Sequence, residues 1–159
     1  MAKFQFENID ELVAEYKALG NDTDEMVRRA VYEGAKVVAD GIKSALENLP
    51  VDDSRHPVDE MRTSITTIQK KGLVDSMGIS KMRDDEGFIN VRIGVSGRNK
   101  LKTRYNPSGQ PNAQVARALE RGTSYMPKNP VFSKTAKEMK KACEQAMQDS
   151  LDRDVKAVE

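Results

Sequence analysis

The side chains best suited to bind a metal or to transfer protons lie in a polar connection over residues 50–63. This connection holds His56, the single histidine of the chain, beside Asp52, Asp53 and Asp59. Metal sites usually need several soft or imidazole ligands at fixed spacing, and this segment offers one imidazole. We therefore interpret His56 as a solvated loop residue, and we expect no metal and no other cofactor.

Paired carboxylates could act as a general acid and base, and two groups are present, Asp52-Asp53 and Asp84-Asp85-Glu86. Such a pair needs an apolar pocket that raises one pKa. Both groups fall where turns are expected, so we interpret them as solvated. The chain also contains no GxxxxGK[ST] phosphate loop, no GxSxG elbow and no HExxH motif. We therefore predict that the protein is not an enzyme.

A third candidate is the basic loop over residues 96–111, which is rich in glycine, proline and cations. A cationic loop with an aromatic side chain could bind phosphate or an acidic protein surface. Three interpretations stay open: a solvated flexible loop, a contact with an acidic protein partner, and a contact with nucleic acid. The candidate partner contacts are Arg98, Lys100, Lys102, Arg104 and Tyr105.

The composition favours one soluble intracellular domain over residues 1–159. The formal net charge of +1 argues against general affinity for nucleic acid or an anionic membrane. No apolar run approaches the ~20 residues of a membrane span, and residues 1–6 contain no signal-peptide core. The single cysteine, Cys143, excludes an intramolecular disulfide. Its place on an apolar stripe predicts a buried packing thiol.

The longest periodic segment runs from Asp22 to Leu49, and we expect the other elements to pack against it. Its apolar residues recur every three or four positions, which is typical of one helix face. Asp22 and Glu25 form a predicted capping box, and Pro50 ends the helix. Small residues on this face permit close approach of a sheet in the same subunit or of a neighbouring subunit. These residues are Ala30, Gly34, Gly41 and Ala45.

The remaining pattern predicts short elements on both sides of a hairpin. Residues 1–20 form a predicted mobile helix, capped by Asn8, that packs on the long helix or on a neighbouring subunit. In residues 64–71, apolar and polar side chains roughly alternate and several are β-branched, which predicts a strand. Residues 79–95 predict a β-hairpin that turns at residues 84–87. The hairpin residues expected to face the helix are Ile89, Val91, Ile93 and Val95.

Two further helices complete the predicted fold. The first is capped by Asn112 and closed by Gly122, and the last is capped by Asn129 with Pro130 at its first position. Residues 152–159 are charged and are expected to fray. The predicted fold class is therefore α+β: a long N-terminal helix packed on a small antiparallel β-sheet, with a C-terminal helix.

Four different stretches follow one another along the chain: residues 72–79, 87–94, 109–117 and 118–124. The last leads to Pro130-Val131-Phe132. This ordered set resembles the neck family of long-tailed double-stranded DNA phages and prophages, the small head–tail joining or tail-completion proteins. The similarity spans residues 61–147. The family often has Pro-Phe directly, whereas Val131 intervenes here.

The resemblance implies a set of structural signature residues rather than an active site. The most telling part is an acidic residue followed by Gly-Thr-Ser, in a turn that leads to Phe132 and a C-terminal helix. Gly122 would permit a left-handed helix end, and Thr123 and Ser124 would hydrogen-bond backbone in the turn. The signature residues are Gly72, Ser76, Gly94, Glu120, Gly122, Thr123, Ser124 and Phe132.

The function implied by the resemblance is structural: a subunit of a ring, often sixfold, at the interface between head connector and tail. The implied partners are further copies of the chain and other phage head-connector and tail proteins. The implied location is the virion neck, after assembly in the bacterial host cytoplasm. DNA would pass through the ring, but we expect no tight DNA binding and no membrane contact.

Two alternative functions are also compatible with the sequence. A nucleic-acid-binding accessory protein would use residues 98–104 and the lysines of residues 134–141, and its DNA binding would weaken steeply with salt. An α+β interaction module of the antitoxin or regulator kind would form a simple dimer. A small enzyme ranks below both, because no polar constellation supports one.

Overall fold

The computed structural model describes residues 23–55 and 60–157. The predicted helix over residues 1–20, Asp22 of the predicted capping box, His56, Asp59 and residues 158–159 of the predicted frayed end lie outside the described residues. Five helices and four strands are described in chain order. They are α1 (Thr23–Glu47), α2 (Thr67–Ser76), β1 (Met77–Ile79), β2 (Arg83–Asp85), β3 (Phe88–Asn90), β4 (Ile93–Val95), α3 (Asn112–Arg121), α4 (Val131–Glu138) and α5 (Lys140–Lys156).

The long helix α1 is the centre of the fold, as its periodicity predicts. Its buried face includes Ala30, Val38 and Leu46, which are 1%, 2% and 0% exposed. The core that forms on this face draws on α2, α3, α4 and α5, with Ile93 and Val95 of the hairpin packed against it. The α+β class is therefore confirmed, since a small antiparallel β region and C-terminal helices both pack on a long helix.

The predicted C-terminal helix is two helices, α4 and α5, that meet at Met139. The backbone bonds continue across this residue: the Met139 N–H donates to Thr135 O (2.9 Å), and the Cys143 N–H donates to Met139 O (2.9 Å). The glycines of α1 lie against this pair of helices. A Cβ added at Gly34 would lie 2.5 Å from Met147 Cγ, and one added at Gly41 would lie 2.8 Å from Met139 Cγ.

These two distances settle which surface the small residues meet. The close approach occurs within one chain, in agreement with the first of the two interpretations. The surface approached is a helix, however, and the expectation of a sheet was wrong. Helices can approach closely where glycine removes the side chain between them. The helical cost of glycine in α1, about 1 kcal/mol each, is offset by this contact.

The strand predicted over residues 64–71 was wrong, because helix α2 begins at Thr67. Thr66 is an N-cap with extended backbone: its N–H donates to Gln69 Oε1 (2.9 Å), and the Gln69 N–H donates to Thr66 Oγ1 (3.2 Å). This reciprocal pair is a capping box. The box satisfies two free N–H groups, and fully buried Leu73 fixes the helix on the core. Both effects outweigh the β-branched composition of the segment.

The predicted hairpin is confirmed as a two-stranded ribbon over residues 77–95. Strands β1 and β4 pair from Met77 opposite Val95, and β2 and β3 pair from Arg83 opposite Asn90. The register shifts by one residue between the two pairs, so the first strand carries an extra residue, as in a β-bulge. The continuous strand expected over residues 88–95 is accordingly interrupted. The turn has positive φ at Glu86 (57°) and Gly87 (91°), as two-residue hairpins favour.

Helix α3 has the predicted bounds, but its predicted cap was wrong. Pro111 is the N-cap and provides no side-chain bond, while the Asn112 side chain is buried and bonded elsewhere. Gly122 closes the helix as expected: its φ is 75°, and its N–H donates to Ala118 O (2.8 Å). Asn129 also does not cap the next helix, because Pro130 is the residue at that position.

Candidate functional site

Two residues of the signature, Gly72 and Ser76, contact the buried side chains of Asn99 and Asn112, and we call these four residues the polar clamp. The Asn112 side chain, 2% exposed, donates through Nδ2 to Ser76 Oγ (3.1 Å) and to Ser96 O (2.8 Å). A Cβ added at Gly72 would lie 2.5 Å from Asn99 Cβ and 2.6 Å from Asn112 Oδ1. The clamp therefore holds the start of the basic loop between α2 and α3, and it requires glycine at position 72.

Further hydrogen bonds close the base of this loop. The Asn99 N–H donates to Gln110 O (2.9 Å), and the Gln110 N–H donates to Leu101 O (3.0 Å). The Gln69 side chain of α2 donates to Gln110 Oε1 (2.7 Å). Arg98, a candidate partner contact, donates through Nη1 to Gly109 O (2.8 Å). One N–H of its guanidinium thus bonds the loop's own backbone.

The other candidate contacts project from the segment that these bonds close, residues 99–110, which we call the basic finger. Lys100, Lys102 and Arg104 are exposed, and none has an ion pair among the described residues. Tyr105 is 87% exposed, the highest value among the large apolar side chains of the described residues. The finger therefore presents three cations and one aromatic ring to solvent.

The second part of the signature connects α3 to α4. The Glu120 carboxylate accepts from the Phe132 N–H through Oε2 (3.2 Å) and from the Ser133 N–H through Oε1 (2.9 Å). These are first-turn donors of α4, which have no partner within the helix. Glu120 thus performs the capping that the sequence led us to assign to Asn129. An acidic group at a helix N-terminus is also favoured by the helix dipole.

The turn after α3 uses local bonds. The Thr123 N–H donates to Met126 O (2.9 Å), and the Tyr125 N–H donates to Thr123 Oγ1 (3.1 Å). A Cβ added at Gly122 would lie 2.9 Å from the Lys128 nitrogen. Ser124 is exposed, and Phe132 is half-buried against the core. These contacts give the signature turn a structural role.

Gly94 lies opposite Gly78 in the β1–β4 ladder. A Cβ added at either glycine would meet no described atom within 4 Å. The contacts within the described chain therefore do not explain why Gly94 belongs to the signature.

The two carboxylate groups differ from each other. Asp52 is buried, at 8% exposure, and its Oδ2 accepts from the Thr63 N–H (2.9 Å), so its interpretation as solvated was wrong. Asp53 accepts from the Thr67 hydroxyl (2.5 Å) and N–H (2.8 Å), and these bonds lower its pKa below the ordinary 3.8. Both carboxylates fasten the connection after α1 to its neighbours. The hydrogen bonds to Asp53 favour its ionised form, which disfavours a role for Asp53 as a general acid.

The second carboxylate group forms the exposed turn of the ribbon, as expected. Asp84 Oδ1 accepts from the Gly87 N–H (2.8 Å), and Asp85 Oδ2 accepts from Asn90 Nδ2 (2.9 Å). Arg28 of α1 lies 3.7 Å from Asp84 Oδ2. These exposed contacts shape the turn and leave the carboxylates in water.

Cys143 is 3% exposed, so the predicted packing thiol is confirmed. Burial raises the pKa of this thiol to about 11. A thiol with such a pKa carries almost no thiolate at neutral pH, and the thiolate is the reactive form.

Within residues 23–55 and 60–157, no three or more His, Cys, Asp or Glu side chains are arranged to hold a metal ion. In the same residues, no helix is long and apolar enough to cross a membrane.

An open cleft of about 300 Å³ lies between the end of α1 and α2. It is lined by Glu47, Val51, Thr67, Lys70, Lys71, Val74 and Asp75.

One comparison with known proteins gives a match. The family described as "Bacteriophage HK97-gp10, putative tail-component" matches residues 10–122, which is most of the chain. The matched region begins before the resemblance noted in the sequence and ends at Gly122, so it contains the polar clamp and Glu120 but not Phe132. No curated protein and no solved structure matches the chain.

Proposed function

Because the chain belongs to the HK97-gp10-like family of bacteriophage tail components, we propose that it is a ring-forming subunit of the neck. In this role it joins the head to the tail or completes the tail end that meets the head. The observation that carries the proposal is the family match over residues 10–122, which makes the protein a structural component of the phage particle. Its partners are other phage proteins, here proposed to be head-connector and tail proteins.

The division of the subunit into a packed body and two projections supports this role. The body is α1 with the helices that cover it, and the projections are the turn of the ribbon, residues 84–88, and the basic finger. Phe88 beside the ribbon turn is 69% exposed, and Tyr105 in the finger is 87% exposed. A subunit that must first remain separate and later assemble needs contacts outside its core. Head-to-tail contacts that close on themselves generate rings.

The proposed role requires no catalysis and no tight binding to DNA. The net charge of +1 gives the whole subunit little general attraction for the phosphate backbone. We propose that the assembled ring lets DNA pass rather than holding it. Binding of the isolated protein to duplex DNA at low salt, lost steeply as salt rises, would instead favour the nucleic-acid alternative.

The decisive experiment deletes the gene from a phage or prophage that encodes this chain and inspects the lysate by electron microscopy. We expect heads and tails that do not join, with joining restored by the wild-type gene on a plasmid. Fully tailed, infectious particles from the deletion strain would overturn the proposal. Light scattering across a concentration series, with and without purified tails, then measures the size of the assembled ring.

A further inference from the structure

Two exposed segments of opposite charge lie on this subunit. One is the basic finger, with Lys100, Lys102, Arg104 and Tyr105. The other is the turn of the ribbon, which we call the acidic tip: Asp84, Asp85 and Glu86, with Phe88 beside them. Each segment thus carries three like charges and one exposed aromatic ring.

The two segments lie at opposite ends of the ribbon. The acidic tip is its turn, whereas the finger follows directly from its base, where Met77 pairs with Val95. Nine residue steps separate Met77 from Glu86, and at about 3.3 Å per residue they span about 30 Å. Because paired strands are extended, this length separates the acidic tip from the base of the ribbon, where the finger begins.

The packing on α1 gives the same separation independently. Near the start of α1, Arg28 lies 3.7 Å from Asp84 of the acidic tip. Past the end of α1, Leu49 O accepts from Lys70 Nζ of α2 (2.8 Å), and α2 holds the finger through Gln69 and Gly72. The 19 residue steps of α1 from Arg28 to Glu47 span about 28 Å. The two charged segments therefore lie near opposite ends of the molecule.

We infer that the basic finger of one subunit binds the acidic tip of a second copy of this chain. The inference rests on the proposed ring and names the contact that closes it. Opposite charge favours this pairing over finger-to-finger and tip-to-tip contacts, which place like charges together. Each subunit offers one finger and one tip at different ends, so the contact is head to tail and generates a ring.

The bonds at the base of the finger prepare it for this contact. The polar clamp and the Asn99–Gln110 bond fix where the finger leaves the body. Within it, the Leu101 N–H donates to Asn99 Oδ1 (2.9 Å), and Thr103 and Asn106 exchange backbone bonds. A segment already held by such bonds loses less conformational entropy when it binds.

The test reverses charge on each side separately. One variant is K102E/R104E in the finger, and the other is D85K/E86K in the tip, which leaves the Arg28–Asp84 contact in place. By light scattering, we expect each variant alone to need at least tenfold more protein for half assembly than the wild type, with or without tails. An equimolar mixture of the two should recover assembly, because each variant then meets an oppositely charged partner.

The matched control is K137E/K141E, which changes the charge by the same amount as K102E/R104E at exposed lysines of α4 and α5. It should assemble like the wild type. Assembly by either reversed variant at wild-type concentrations, failure of the mixture to assemble, or a wild type that stays monomeric even with tails would overturn the inference. Recovery in the mixture also excludes misfolding as the cause of the loss.

Failure of this inference is distinguishable from failure of the proposed function. If the wild-type gene joins heads to tails and both reversed variants do so equally well, the finger–tip contact is wrong and the neck role stands. If the deletion strain produces tailed particles, the neck role is wrong. The mixing experiment still decides the contact in that case, because it measures self-association directly.

Discussion

The helical body and the projections of this protein differ in how far their apolar side chains are exposed. In the body, Leu46, Leu73 and Leu119 are all 0% exposed. In the projections, Phe88 and Tyr105 are more than half exposed, and the charges beside them lie in water. The contrast indicates that stability depends on residues of the body, whereas the contacts that we propose for assembly lie in the projections. Changes in the body should therefore alter unfolding, and changes in the projections should alter assembly.

The largest effect on stability is expected for Leu46→Ala in α1. Truncating a fully buried leucine loses apolar burial and leaves a cavity, which costs about 2 to 5 kcal/mol of unfolding free energy. Urea unfolding followed by circular dichroism measures it. The control is Val51→Ala, since Val51 is 41% exposed and should lose far less stability. Equal losses for the two variants would contradict the assignment of the core.

Gly72→Ala should affect both regions, the stability of the body and the mobility of the finger, because it disturbs the polar clamp that holds the finger. Its Cβ would overlap Asn99 and Asn112, and overpacking of this kind costs about 1 to 3 kcal/mol. The higher helix propensity of alanine than of glycine offsets about 1 kcal/mol of this overpacking cost. The sharper measurement is limited trypsin digestion, in which we expect faster cleavage at Lys100, Lys102 and Arg104. Gly78→Ala, where a Cβ meets open space, should leave the digestion rate unchanged.

Glu120→Ala should remove the cap of α4 and reduce stability by about 1 kcal/mol, as loss of a capping side chain usually does. Glu120→Gln retains an acceptor and should recover part of the loss. Thermal unfolding of the three proteins measures this order. Glu138→Ala, an exposed change at the other end of the same helix, is the control. An equally large loss there would show that the Glu120 carboxylate has no special role.

The smallest effect is expected at Asp53 and depends on pH. Its pKa is lowered in the folded chain by the bonds from Thr67, so the ionised form adds stability above the ordinary pKa of 3.8. That contribution is lost as the pH falls below 3.8 through the folded value. Urea unfolding between pH 7 and pH 3 should show a shallower loss of stability for Asp53→Asn than for the wild type. Parallel curves of unfolding free energy against pH for the two proteins would contradict a stabilising role for the hydrogen bonds from Thr67 to Asp53.

Several features could be predicted because they depend on neighbours in the sequence. The periodicity of α1 identified its buried face, and residues 84–87 identified the position of the hairpin turn. Gly122 marked the end of α3, and the apolar stripe placed Cys143 in the core. The capping box at Thr66 and Gln69 was also visible as Thr-x-x-Gln. The β-branched composition of residues 64–71 obscured it, and the predicted strand was wrong.

Tertiary structure decided where each polar side chain found its partner. Asn112 and Asn129 both had residue types suited to capping, yet the first bonds Ser76 and Ser96, and Glu120 caps α4 in place of the second. The helix surface against Gly34 and Gly41 was likewise set by α4 and α5, not by a sheet. The sequence pattern around a residue determines much of its backbone conformation, because the backbone hydrogen bonds of helices and tight turns join residues that are close in the sequence. A side chain with several competing partners takes the one that packing brings near, and the chain order alone does not determine that choice.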